Sequence, residues 1–253
     1  AGPAAFDSVD GVHRQIECMK IAIRAAFDHF ADPEAMTLTP EELLGAQSIA
    51  PAAASIGREA SNLPPVALPV GRDTVYLCAA DADGRMISFI QSNYLGFGSG
   101  IVIPGTGISM QNRGMGFSLD PAHPNCVGPG KRPFHTIIPG FVTEAGAPRM
   151  AFGVMGGHMQ HQGHFQMAQR IFDHGENPQA ASDAPRWHVF PDFSVGLETG
   201  FPEEIARGLA ERGHSVRYVD EEHVFGGAQL ILKTEHGYVS GSDHRKEGHA
   251  AGF

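Results

Sequence analysis

Thr74 stands at the head of an apolar, β-branched run over residues 75–80, directly after Asp73. A threonine hydroxyl is a weak nucleophile until a base takes its proton. Were the 73–74 bond cut, Thr74 would gain a free α-amine with a pKa of about 8. Nucleophile and base would then share one residue, with their proximity set covalently. A threonine that merely starts a strand is the competing reading and, taken alone, the commoner one. Gly156-Gly157 lies where a strand gives way to a helix, a place where backbone N–H groups point outward unpaired and suit an oxyanion. A tight turn that needs glycine for steric reasons accounts for the same pair, and both can hold together. His158, His161 and His164 look like metal ligands at first sight, but only 158 and 161 share a helix face, and Gly163 interrupts the run. No nearby glutamate completes a familiar site, so no metal is expected and His158 is read as pocket lining.

A hairpin must position Thr74. Strands are expected over 75–80 and 86–91, around Asp81-Ala82-Asp83-Gly84, whose Asp-Gly supplies the positive φ angles of a tight turn. Gly96, Gly98, Gly100, Gly105 and Gly107 follow, a loop whose backbone could approach another chain or a ligand closely. Three prolines between Ser61 and Arg72, without periodicity, predict an exposed linker ahead of Thr74. Any domain boundary would look the same.

Upstream, Asp10 is expected to cap a helix with Ile16, Met19, Ile23, Phe27 and Phe30 on one face, closed by Asp32-Pro33. Thr39-Pro40-Glu41-Glu42 reads as a capping box opening a short helix through Leu43 and Leu44. These apolar residues are expected in a helical core. Downstream, strands are expected over 137–143 and 150–154, and helices over about 158–174, from Asn177-Pro178 and over 202–212. Further strands are expected near 195–198, 216, 228–232 and 238–240. The fold class is α+β, with sheets and helices in layers.

The chain has 253 residues, 42% hydrophobic and 18% charged, which is globular rather than disordered. A net charge of −10 argues against nucleic acid or an anionic membrane as partner, and no apolar run approaches the length of a membrane span. Cys18, Cys78 and Cys126 are widely spaced and form neither a disulfide framework nor a zinc knuckle. That mildly favours a reducing, cytoplasmic setting, with the periplasm as the alternative. No signal peptide is visible, and residue 1 is not expected to be the native terminus.

The stretch from Asp73 to Phe117 resembles the start of the small subunit of gamma-glutamyltransferases, which are N-terminal-nucleophile hydrolases. Further motifs follow in the family's order: Gly128-Pro129-Gly130-Lys131-Arg132-Pro133, Met155-Gly156-Gly157, Ala184-Pro185-Arg186 and Ser242-Asp243-His244-Arg245. Residues 12–50 resemble the end of the large subunit. The resemblance implies an αββα sandwich, with 1–73 a helical segment and linker and 74–253 the catalytic region. It implies autocatalytic cleavage between Asp73 and Thr74, Thr74 as nucleophile, Ser92 bonded to its new amine, and Gly156 and Gly157 as the oxyanion site. Tyr94 falls where the family has an asparagine on the substrate α-carboxylate, and Asn93 would restore that amide at an offset of one.

Two departures bear on the substrate. The family's glutamine and aspartate around the substrate α-amine correspond to Arg113 and Gly116, and neither can neutralise an ammonium. The serine pair becomes His135-Thr136. Arg113 and His135 favour a carboxylate on the acyl group, such as glutaryl, unless Arg113 is spent on an acidic neighbour. Arg186, Asp243 and Arg245 are read first as structural ion pairs, and Trp187 as packed. The expected function is a self-processing threonine amidohydrolase or acyltransferase that cleaves gamma-glutamyl or glutaryl-type amides through acyl-Thr74. It needs no cofactor, and its expected partners are the amide substrate, the remainder of the large subunit and a homo-oligomer. The alternative is an inactive or incomplete family member that binds without chemistry.

Overall fold

The computed structural model describes residues 6–67 and 74–253. In chain order its elements are α1 (Val9–His29), α2 (Pro40–Leu43), α3 (Ala46–Ser55), β1 (Thr74–Ala80), β2 (Met86–Ser92), β3 (Gly140–Glu144), β4 (Ala147–Met155), α4 (Met159–Ala168), α5 (Pro178–Asp183), β5 (Trp187–Val189), β6 (Val195–Glu198), α6 (Glu203–Glu211), β7 (Val216–Val219), β8 (Gly227–Thr234) and β9 (Gly237–Ser242). Helices and sheets are mixed, as an α+β fold requires. Two compact units interleave along the chain. The first takes the described residues up to 67 with Arg113–His135 and Val189–Tyr218. The second takes the described residues from 74 to 112 with Thr136–His188 and Val219–Phe253.

In the first unit α1 buries Val12, Ile16, Met19 and Ile23 along one stripe, while Phe30, beyond its end, is exposed. Its cap is Ser8 rather than Asp10. Ser8 has the extended backbone a cap needs, and its hydroxyl accepts the Gly11 N–H at 3.1 Å. Asp10 sits inside the first turn, where it suits the positive end of the helix and pairs with Arg212. The capping box at Thr39 and Glu42 forms in both directions. Leu44 after it is 74% exposed, because the four-residue α2 has no face against a core. The Ala-rich α3, with Pro51 inside it, is an element the sequence reading lacks.

A buried polar relay fastens the segment after α3 to α1. The Gly57 carbonyl can only accept, so His13 donates to it through Nε2 (3.0 Å), and His13 Nδ1 must then accept from His214 Nε2 (2.8 Å). His214 Nδ1 in turn faces the Lys20 ammonium (3.2 Å), which pairs with Glu17 (3.0 Å). The other Glu17 oxygen accepts the Ser61 N–H at 3.0 Å. Burial alone would raise the Glu17 pKa, but Ser61 and Lys20 hold it below the usual range. Part of the expected free linker is therefore pinned. Val66 is buried as well, and its N–H reaches the Pro191 carbonyl.

The second unit is built on β4. Residues alternate across a strand, so Met150, Phe152 and Val154 face one side, where they pack with Met167, Ile171, Ala181, Ala228 and Leu230 under α4 and α5. The opposite side carries the β1–β2 hairpin. Gly153 permits this approach: a Cβ there would sit 2.4 Å from the Tyr76 ring. The Tyr76 hydroxyl bonds Ser88 (2.7 Å), and burial pushes its pKa up. β4 belongs to an antiparallel sheet of order β3-β4-β8-β9. Its turn at Ala145-Gly146, the helix end at Gly175 and the Asn177 cap fall where the sequence places them.

Arg186, Asp243 and Arg245 form one buried knot in this unit, the structural role the sequence suggests. Asp243 receives Arg186 (2.5 Å), Arg245 (3.1 Å) and the backbone N–H groups of Ala228 (2.7 Å) and Arg245 (2.9 Å). The two guanidinium groups also donate to the carbonyls of Ser182, Ala184 and Phe225. Burial would raise the Asp243 pKa, but Arg186 and its other donors hold it below the ordinary range.

Truncating Asp243 leaves two buried guanidinium groups uncompensated, so Asp243→Ala should destabilise by ~3–5 kcal/mol, measured by urea unfolding. Acid should also destabilise. Burial, then Lys20, depress the pKa of His214 to about 4, whereas the unfolded chain titrates near 6.5. The unfolded state therefore binds the extra proton between those values, and His214 should make stability fall as pH drops from about 6.5 to about 4. Below that, protonation of carboxylates held low in the folded chain, such as Glu17 and Asp243, should lower it further. The urea midpoint against pH should show this, and His214→Gln should reduce the proton uptake by about one.

Candidate active site

β1 and β2 pair antiparallel with Thr74 opposite Ser92, which sets the threonine at the open end of the hairpin. The turn at the other end is closed by Asp81, whose carboxylate takes the N–H groups of Asp83 and Arg85 at 3.0 Å each. Asp73 lies outside the described residues. Thr74 lines a cleft of about 540 Å³ in the second unit, together with Tyr76, Cys78, Met155, Gln229, Ser240 and the tail around Lys246. Burial raises the Cys78 thiol to about 11, so it is a thiol and no nucleophile at neutral pH.

Immediately after Met155 come Gly156 at φ 127° and Gly157 at φ 58°. Side chains avoid both conformations, so this β4–α4 corner requires glycine on steric grounds. The carbonyls of Gly156 and Gly157 accept the N–H groups of Met159 and Gln160 at 3.0 and 3.1 Å and close the first turns of α4. Gln160, fully buried, holds the 136–139 segment by accepting the Ile138 N–H at 3.1 Å. Thr136, at the start of that segment, is buried.

Ser92 does not point freely to solvent. Its Oγ accepts the Tyr94 N–H at 2.9 Å, which draws the chain into a turn at the strand end. Tyr94 is buried there at φ 79°, a strained conformation for a bulky residue. Asn93 is half-buried, and its carbonyl takes the Asn112 N–H at 3.1 Å. Asn112, which the sequence reading passes over, closes the glycine loop: its Oδ1 accepts the Leu95 N–H (3.0 Å), and its Nδ2 reaches the carbonyls of Leu95 (3.3 Å) and Gly98 (3.1 Å). The close approach expected of this loop is to itself, since a Cβ on Gly98 would lie 2.3 Å from the Met110 carbonyl oxygen.

Arg113 and His135 belong to the first unit. Arg113 is buried on a 3-10 turn, Arg113–Gly116. Burial, then the Arg113 charge, hold the His135 pKa below its usual value, so His135 is neutral at pH 7. At Gly116 a Cβ would meet the Phe134 carbonyl oxygen at 3.0 Å, so an aspartate has no room there unless that backbone moves.

Of the three histidines, His161 and His164 behave as packed groups, while His158, just before α4, is half-buried. Burial lowers His161 to about 3 and His164 to about 4, and the His164 ring lies 4.8 Å from that of Phe152. Gly163 lets α4 rest on Val154, whose Cγ1 would be 2.6 Å from any Cβ. Among the described residues, ligand-type atoms gather within 4.8 Å only at His13, Glu17 and His214. There the Lys20 ammonium already sits on Glu17 and His214 as a built-in cation. No helix among the described residues is long and apolar enough to cross a membrane.

Comparison with known proteins bears on this arrangement. The family model for gamma-glutamyltranspeptidase matches residues 2–253. The chain is 36% identical to the glutathione hydrolase-like YwrD proenzyme of Bacillus subtilis, over 98% of this chain and 50% of that protein. It is also 36% identical to the oxamate amidohydrolase proenzyme of Klebsiella pneumoniae, over 99% of this chain and 48% of that protein. Among solved structures, the cephalosporin acylase from Bacillus halodurans superposes with a TM-score of 0.88 at 45% identity, covering 98% of this chain and 46% of that one. The chain thus spans about half the length of the curated relatives it matches, and those relatives are named as hydrolases and acylases. With a match across nearly every residue, this chain belongs to the gamma-glutamyltranspeptidase family of N-terminal-nucleophile hydrolases.

Proposed function

We propose that this chain carries the nucleophile of a self-processing threonine amidohydrolase. The observation that carries the reading is Thr74 at the open end of the β1–β2 hairpin, opposite Ser92 and on the same cleft as Met155, directly before the glycine pair. Cleavage of the 73–74 bond would free the Thr74 amine to take the proton of its own hydroxyl. The hydroxyl oxygen then attacks the substrate amide carbonyl, and the tetrahedral oxyanion is held by the N–H groups at Gly156 and Gly157, each such donor contributing a few kcal/mol. Collapse expels the amine and leaves acyl-Thr74, which water or an acceptor amine resolves. Relatives named as proenzymes support the processing step.

The acyl group is one bearing a carboxylate and lacking the α-amine. The residues matching the family's α-amine partners are Arg113 and Gly116, neither of which can neutralise an ammonium, and the Phe134 carbonyl fills the space an aspartate at 116 would need. A relative named oxamate amidohydrolase agrees with an acyl group that lacks the α-amine, whereas one named glutathione hydrolase-like points to the gamma-glutamyl alternative. The upstream half of a relative-length protein is the partner this reading requires. The outer face of the hairpin, with Val75 68%, Leu77 49%, Ile87 50% and Phe89 47% exposed, is the face on which a further helical layer would complete an αββα sandwich.

The test compares release from gamma-glutamyl and glutaryl anilides by wild type and Thr74→Ala, with intact mass as the second readout. Wild type should yield a fragment beginning at Thr74 and favour the glutaryl compound. The alanine variant should release neither and stay one polypeptide. A large preference for the gamma-glutamyl compound would contradict the assignment of Arg113 and Gly116.

A further inference from the structure

Lys246 lines the Thr74 cleft, and among the described residues no hydrogen bond or ion pair engages its ammonium. Its position is built rather than incidental. The knot on Asp243 fixes the start of the tail, and the Lys246 N–H bonds the Asp243 carbonyl at 3.2 Å. The lysine stem then crosses the backbone at Gly227. A Cβ on Gly227 would lie 2.2 Å from Lys246 Cγ, 3.1 Å from Cε and 3.2 Å from Cδ, so the stem is laid along that glycine for most of its length. Gly227 pairs with Met155 in the sheet, and Gly156 follows Met155. The lysine therefore crosses at the end of β4 that carries the glycine pair, beside the same cleft. Two residues on, the tail is closed down onto β8: a Cβ at Gly248 would be 2.3 Å from Gln229 Nε2.

A lysine whose stem is already packed loses little side-chain entropy when its head binds an anion. The other titratable groups lining the cleft are Tyr76, Cys78, Glu247 and His249. Tyr76 and Cys78 are held neutral by burial, and Glu247 is exposed and makes no ion pair with Lys246. That leaves Lys246, a half-buried residue, as the permanent side-chain cation among the groups lining the cleft.

We propose that Lys246 binds the carboxylate of the acyl group and so sets the preference of the Thr74 cleft for monoamides of dicarboxylic acids. This rests on Thr74 being the residue that is acylated. Lys246 makes no bond to the reacting carbonyl and takes no proton in the reaction. Its contribution is selective affinity, as a point charge that a neutral acyl group cannot use.

The experiment uses the full-length protein and two substrates of one shape, glutaryl p-nitroanilide and its neutral counterpart in which the free carboxylate is a primary amide. Lys246→Met should raise KM for the glutaryl compound about 10-fold or more and leave kcat within about 2-fold. The neutral compound should be unaffected, and Lys246→Arg should recover most of the lost affinity. In the unaltered protein, raising ionic strength should weaken only the charged substrate. That measurement needs no variant, so it holds even if Lys246→Met fails to fold. Equal changes for both substrates, or none for either, would overturn the role of Lys246 while a mass adduct on the Thr74 fragment still supports the acyl-enzyme. Turnover with no adduct on that fragment, together with an active Thr74→Ala, would instead sink the Thr74 reading and this inference with it.

Discussion

The carboxylate of Asp243 is the point on which the second unit closes. Four donors converge on it from two arginines and two backbone amides, and the same arginines reach carbonyls at the end of α5 and at the turn before β8. A charge trio this deeply buried contributes little net stability compared with apolar packing, but it tolerates no missing partner. Its consequence is geometric. It joins the start of β8, the end of α5 and the tail carrying Lys246, and through the tail it shapes one wall of the cleft that Thr74 lines.

The other wall depends on how closely two layers can approach. β4 is buried on both faces, with α4 and α5 on one and the hairpin on the other. Tyr76 lies against Gly153, and any side chain at 153 would lift the hairpin away. Thr74 is two residues from Tyr76, so this contact sets its height above the strand leading to Gly156-Gly157. The strained backbone at Tyr94 and the Asn112 clasp then fix how the chain leaves the hairpin. Strain of this kind persists only where surrounding bonds over-determine the conformation, which the Ser92 and Asn112 contacts do.

The first unit is held by different physics. Its relay from Gly57 through His13, His214, Lys20 and Glu17 to Ser61 is directional, because a carbonyl stands at one end and an ammonium next to a carboxylate toward the other. Every proton has one place to be at neutral pH, and an extra proton on His214 would face Lys20. The fastening of the segment before the 68–73 stretch is thus tied to the protonation of a group far away in sequence.

What the amino-acid order determined by itself was whatever a few neighbouring residues decide among themselves. Gly84 supplies a positive φ of 87° to its hairpin turn, although Asp83 does not and the loop runs over 81–85; Thr39 and Glu42 cap each other, and Asn177-Pro178 starts a helix. An ordered string of motifs, from Thr74 to Asp243, was enough to place the family. Tertiary structure decided what depends on partners distant in the chain. Asp10, inside the first turn of α1, pairs with an arginine 202 residues away. The side chain that seals the glycine loop is Asn112, and Leu44 is left outside the core despite its helical setting. Lys246 reads as one more surface lysine until the backbone at Gly227 brings it to the Thr74 cleft. Periodicity and capping are short-range and so visible in sequence, whereas burial and charge pairing are set only once the chain has folded back on itself.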